Sequence, residues 1–139
     1  MIKHLVLSGG GPTGFLTYGA ARYLSQQNFW SMNSVESIYG TSIGAFFGII
    51  LSLGLPWNYL DDYLINTKWD KVLNLQPYNF IDAYSSKGIV QPNFIRDSLS
   101  PLFLKKNIDL DINLEDFYKI NNVDLHFYTT DINTNIFKN

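Results

Sequence analysis

The 139-residue chain contains no cysteine. Disulfides, zinc–thiolate centres and cysteine nucleophiles are thereby excluded, and cysteine usage gives no reading of redox compartment. Charge is scarce: ten basic and twelve acidic residues give a net charge of −2. That balance argues against a general nucleic-acid binder, though not against a local basic patch facing an anionic membrane. Long apolar runs are missing too. The longest, residues 43–55, is broken by Gly44, Gly48, Ser52 and Gly54. It falls short of the about 20 residues that a membrane-spanning helix needs, so it reads as a buried helix. Lys3 and His4 precede only Leu5-Val6-Leu7 before a glycine cluster begins, which is not the pattern of a signal peptide. The expected localisation is cytoplasmic or peripheral to a membrane. No Gly-Lys-Ser or Gly-Lys-Thr follows a glycine loop, which argues against a P-loop as well.

What the chain does have is apolar substance. Hydrophobic residues make up 46% against 16% charged, the composition of a globular protein rather than a disordered one. Its length fits one domain or part of one. Residues 2–8 are apolar and stop at glycine, which predicts a short buried strand. Residues 14–26 predict a helix whose buried face is Leu16, Ala20, Tyr23 and Leu24. A polar turn at 28–34 leads to a second strand, 35–39, and a helix from Ser42 to about residue 53. Gly54-Leu55-Pro56 ends that helix and starts another with Trp57, Leu60 and Leu64 on its apolar face. Residues 68–91 give no clear pattern beyond a turn at Ser85-Ser86-Lys87-Gly88. A helix follows at 92–103, carried by Phe94, Ile95, Leu99 and Leu102. Asn113 caps a short helix, 114–119, with Asp116 at its third position. Residues 123–130 alternate as one strand. Strand–helix–strand–helix at the start implies parallel strands with right-handed crossovers.

Two glycine motifs carry the chemistry. Gly9-Gly10-Gly11-Pro12-Thr13-Gly14 joins the first strand to the first helix, and Gly40-Thr41-Ser42-Ile43-Gly44 joins the second strand to the second helix. A serine hydroxyl is a weak nucleophile until a base takes its proton, and it must stand clear of the backbone to reach an ester. A sharp strand–turn–helix achieves this, and glycines two positions either side of the serine remove the Cβ groups that collide in such a turn. Ser42 fits the nucleophile, with Gly40, Thr41 and Gly44 forming the elbow. The positive end of the following helix favours developing negative charge. The tetrahedral intermediate needs donors for its oxyanion. The loop Gly9, Gly10, Gly11 and Gly14 can bring backbone N–H groups close, Gly10 and Gly11 foremost, with Ile43 as a further donor. Pro12 has no N–H to give.

Other readings compete. Gly9, Gly11 and Gly14 also fit a dinucleotide-binding GxGxxG, which needs an acidic residue at the end of the second strand. Glu36 is at about the right distance but at the start of that strand. His126 follows Ser42 and invites a Ser-His-Asp triad, yet its alternation with Leu125 and Phe127 reads as a strand-face histidine. His4 reads as structural. Asp131 is a second candidate base. Asp61 and Asp62 are adjacent on a helix and read as a solvated face, and the pair Asp109 and Asp111 does not make a metal site.

With both motifs placed, the chain resembles the patatin-like phospholipase family. Leu5 to Gly14 is similar to that family's first strand and oxyanion loop, and Ile38 to Ala45 to its nucleophile elbow. Weaker similarity runs through residues 84–102 and 125–134. The resemblance implies a three-layer α/β/α sandwich with a mainly parallel sheet, incomplete in this chain, and hydrolysis of acyl esters in phospholipids or neutral lipids. It implies a Ser–Asp dyad with Ser42 as nucleophile, no metal or other cofactor, a lipid substrate met at a membrane or lipid surface, and no nucleic-acid partner. Two departures stand out. The family often has a basic residue where Thr13 stands. The family's aspartate lies in a downstream Asp-Gly motif, and no Asp here is followed by Gly. The chain therefore reads as the N-terminal part, 1–139, of a longer patatin-like domain, because residues 131–139 follow a finished strand with no closing element. The alternative is a catalytically inactive lipid-binding or interaction module.

Overall fold

The computed structural model of the chain describes residues 1–69, 93–131 and 133–139. In chain order these form β1 (His4–Leu7), α1 (Gly14–Gln26), β2 (Ser37–Gly40), α2 (Ile43–Ser52), α3 (Trp57–Asn66), α4 (Asn93–Lys105), α5 (Leu114–Asn121), β3 (Asp124–Phe127), β4 (Thr129–Asp131) and β5 (Ile136–Lys138). They divide into two compact units: Met1–Leu55 with Asp111–Asn139, and Pro56–Leu110. The turn expected at Ser85 to Gly88 lies outside the described residues.

The first unit is built on a parallel sheet in the order β1-β2-β3. Strand alternation sends Leu5, Leu7, Ile38 and Leu125 to one face, and α2 covers that face. This helix is apolar almost throughout, burying Phe46, Phe47, Ile50 and Leu51, as a helix with no solvent stripe must. It rests close on the strands because Gly48 has no side chain: a Cβ there would lie 3.1 Å from Ile38 Cγ2. The sheet's other face carries His4, Tyr39 and His126. Tyr39 and His126 stack with ring centroids 4.6 Å apart, and His4 Nδ1 lies 2.8 Å from Ser37 Oγ. His126 thus lies on a strand face opposite Tyr39, where its alternation with Leu125 and Phe127 places it. The parallel α/β arrangement is that of the expected fold class.

Four expectations are corrected. β1 is not a buried strand: it ends the order β1-β2-β3, buries Leu7 and leaves Val6 exposed. α1 spans the expected residues, but Leu16, Ala20, Tyr23 and Leu24 are exposed. The helix seats its opposite stripe, Gly14 and Tyr18, against α2. Gly14 permits the approach, since a Cβ there would meet Ile43 Cγ1 at 2.5 Å, and Tyr18 then stacks on Phe47 at 5.7 Å. Residues 123–130 are two strands rather than one. The chain leaves the parallel sheet after Phe127, and β4 pairs antiparallel with β5 instead. A strand, β5, therefore does follow Asp131. The cap of α5 forms as expected: Asn113 Oδ1 accepts from the Asp116 N–H at 2.9 Å.

In the second unit, Leu60 and Leu64 of α3 are buried, as are Leu99, Leu102 and Phe103 of α4. The Tyr63 hydroxyl donates to the Ser98 carbonyl, and burial pushes its pKa up to about 12.

Gly19, on the exposed side of α1, has open space around its missing side chain among the described residues. Gly19→Ala therefore gains helix propensity without a clash. A rise in unfolding free energy of about 0.5–1 kcal/mol is expected from urea denaturation.

Candidate active site

β2 ends at Gly40 and α2 begins at Ile43, so the chain reverses over Thr41 and Ser42. Ser42 takes φ 53° and ψ −128°, a conformation that side-chain-bearing residues rarely adopt and that costs about 1–3 kcal/mol. Three glycines make room for it. A Cβ on Gly40 would lie 2.7 Å from Ala45 N and Cα, and one on Gly44 would lie 2.2 Å from Leu7 O. One on Gly9 would lie 3.2 Å from Ser42 Cβ. The two glycine motifs, about thirty residues apart in sequence, are thus brought into contact at the serine. Ser42 and the loop 9–13 are exposed, whereas Gly44 is buried beneath them.

The upstream loop has a defined orientation. Gly11 takes φ 55° and opens a 3₁₀ turn, Gly11–Thr13. The Gly10 carbonyl accepts from Thr13 Oγ1 at 2.8 Å and from the Thr13 N–H at 3.3 Å. A trans peptide points its N–H opposite to its carbonyl, so the Gly11 N–H faces away from Thr13. The Thr13 hydroxyl thereby fixes the turn of the loop. The N–H groups of Gly10, Gly11 and Ile43 make no backbone–backbone hydrogen bond among the described residues.

The candidate bases are engaged elsewhere. His126 Nε2 lies 3.0 Å from Asp124 Oδ2, and its Nδ1 lies 3.4 Å from Asn139 Nδ2. Asp131 pairs with Lys138 at 3.1 Å and accepts from the Asn133 N–H at 3.0 Å. Its ion-paired partner, first of all, and the Asn133 N–H hold its carboxyl below the usual range, which makes it a weaker base. Glu36 pairs with Lys3 at 2.6 Å, at the head of β2 rather than at its end, where a ribose-binding carboxylate belongs.

One contact had no signal in the sequence. Thr41 Oγ1 donates to the Tyr128 carbonyl at 2.9 Å, across 87 positions of chain. No local pattern marks a bond between residues so far apart.

A family model for patatin-like phospholipases matches residues 5–138. The chain belongs to this family. Patatin-like phospholipases are generally hydrolases of lipid esters, and both glycine motifs of this patatin-like chain fall inside the matched span. It is also similar to an uncharacterized protein of Acanthamoeba polyphaga mimivirus, with 22% identity over 105 residues, covering 76% of this chain and 35% of that protein. The chain thus spans about a third of the length of that relative. No solved structure matches. Among the described residues of this patatin-like chain, no helix is long and apolar enough to cross a membrane.

Proposed function

We propose that this protein is a lipid acyl hydrolase acting on ester-linked acyl chains at a membrane or lipid surface. The observation that carries this reading is Ser42, held at φ 53° and ψ −128° between β2 and α2 with Gly9 against it. A strained, exposed serine at a helix N-terminus is the arrangement that acyl transfer requires. Ser42 Oγ attacks the acyl carbonyl and gives its proton to a base. The Gly10, Gly11 and Ile43 N–H groups hold the oxyanion, and the alcohol portion of the lipid departs with a proton. Water then cleaves the acyl-enzyme and releases the fatty acid. The base is the aspartate of a Ser–Asp dyad outside these 139 residues. What supports that placement is the absence of any Asp-Gly pair from the sequence and the engagement of Asp131 and His126 with other groups.

The test is labelling with a fluorophosphonate serine probe, followed by fatty-acid release from phospholipid vesicles. A single adduct mapping to Ser42, with release of fatty acid, is the expected result for the full-length protein. An adduct formed by the 139-residue chain alone would show that the base lies within it, against the placement above. Vesicle binding with neither adduct nor release by the full-length protein would overturn the hydrolase reading in favour of an inactive lipid-binding module.

A further inference from the structure

We propose that Thr41 is a positioning residue that holds Ser42 in its strained conformation through the Tyr128 carbonyl. The proposal rests on Ser42 being the nucleophile. β3 ends at Phe127, and the chain turns there toward β4. At that exit two bonds tie it to the elbow: the Tyr128 N–H donates to the Gly40 carbonyl at 2.9 Å, and Thr41 Oγ1 donates to the Tyr128 carbonyl at 2.9 Å. Together they clasp the two residues before Ser42 to Tyr128, which joins β3 to β4. A backbone in a sparsely populated region persists only when its surroundings over-determine it. On the other side the elbow's backbone bond to β1 is long, Thr41 N–H to the Leu7 carbonyl at 3.4 Å. The turn's own bonds, Gly44 N–H to the Thr41 carbonyl at 2.9 Å and Ala45 N–H to the Ser42 carbonyl at 3.0 Å, tie it to α2; its shortest ties to the rest of the sheet are those to Tyr128, and the hydroxyl of Thr41 supplies one of them. Its methyl does different work: Cγ2 lies 3.6 Å from where a Gly9 Cβ would stand, facing the oxyanion loop.

Two substitutions separate these groups. Thr41→Val keeps the methyl and loses the hydroxyl; Thr41→Ser keeps the hydroxyl and loses the methyl. The readouts are kcat and KM for hydrolysis of a short-chain phospholipid by the full-length protein, amide hydrogen exchange at Tyr128 and Gly44, whose N–H groups donate to the Gly40 and Thr41 carbonyls, and the Ser42 HN–Hα scalar coupling, which reports φ. For Thr41→Val, kcat falls about tenfold at unchanged KM, exchange quickens about tenfold, and the coupling moves. Thr41→Ser returns kcat and exchange to within about twofold of wild type. A Thr41→Val protein with wild-type kcat and exchange overturns the proposal, and so does a Thr41→Ser protein as impaired as the valine variant. If wild type hydrolyses nothing, the hydrolase reading fails on its own, and exchange and coupling still decide the role of Thr41: unchanged values in Thr41→Val overturn it. Should the valine variant not fold, Thr41→Ala against Thr41→Ser poses the same contrast.

Discussion

Ser42→Ala is expected to reduce lipid-ester hydrolysis by at least about 10⁴-fold, with vesicle binding retained. Neither a cysteine nor the neighbouring threonine can replace the hydroxyl. The chain has no cysteine, and Thr41 beside it has its hydroxyl committed to the Tyr128 carbonyl. Residual rate in such a variant comes from the oxyanion donors and from binding alone, which is why the loss is large but finite. Fatty-acid release from vesicles measures it directly. A variant that retains more than about a tenth of the wild-type rate would remove Ser42 from the mechanism.

The same position carries a second expectation of opposite sign for stability. Glycine accepts φ 53° without strain, so Ser42→Gly relieves about 1–3 kcal/mol. Against this stands the greater unfolded-state freedom of glycine, about 0.5–1 kcal/mol. The balance favours an inactive variant that melts at or above the wild-type temperature. Ser42→Ala keeps its Cβ at the strained angle and gains nothing of the kind. A stability order of glycine above alanine at this exposed position would show that the Ser42 backbone is strained in the fold.

The glycine motifs were legible because backbone geometry calls for glycine there: the elbow tolerates no Cβ at Gly40 or Gly44, and in the upstream loop Gly14 has no room for one while Gly11 takes φ 55°. The limits of α1 were legible for a related reason, since glycines and a polar turn flank a periodic segment. Its buried face was not. Leu16, Ala20, Tyr23 and Leu24 form one stripe at helical spacing, and Gly14, Tyr18, Ala21 and Ser25 form another. Hydrophobicity favours the first stripe. Close approach favours the second, because Gly14 lets Ile43 and Phe47 come within contact. Periodicity alone cannot weigh size against hydrophobicity. The end of β3 was hidden for a different reason. Alternation runs on through Tyr128, but the partner changes from β2 to β5 there, and pairing is a property of the distant strand. The Thr41–Tyr128 bond was illegible on the same ground.

Gly44→Ala is expected to be the most damaging single-methyl addition in the unit that holds Ser42. The new Cβ would stand 2.2 Å from Leu7 O, 2.6 Å from Leu7 C and 2.8 Å from Ser8 O. All three atoms are backbone, so no side chain can turn aside, and α2 must lift from the end of β1. Helix propensity pulls the other way by about 1 kcal/mol. Overpacking costs about 1–3 kcal/mol and more where the neighbours are rigid, so the clash wins, with a net loss of about 2 kcal/mol or more in urea denaturation. Activity suffers beyond stability. Lifting α2 moves the Ile43 N–H and Ser42 away from Gly9 and the loop behind it, and a misplacement of about 1 Å costs about 100-fold in rate. The contrast with Gly19→Ala makes the test specific. Both add one methyl to a helix, one into open space and one onto the first strand. Equal stability of the two variants would mean that α2 does not sit on β1 as described, and the contact between the two glycine motifs would go with it.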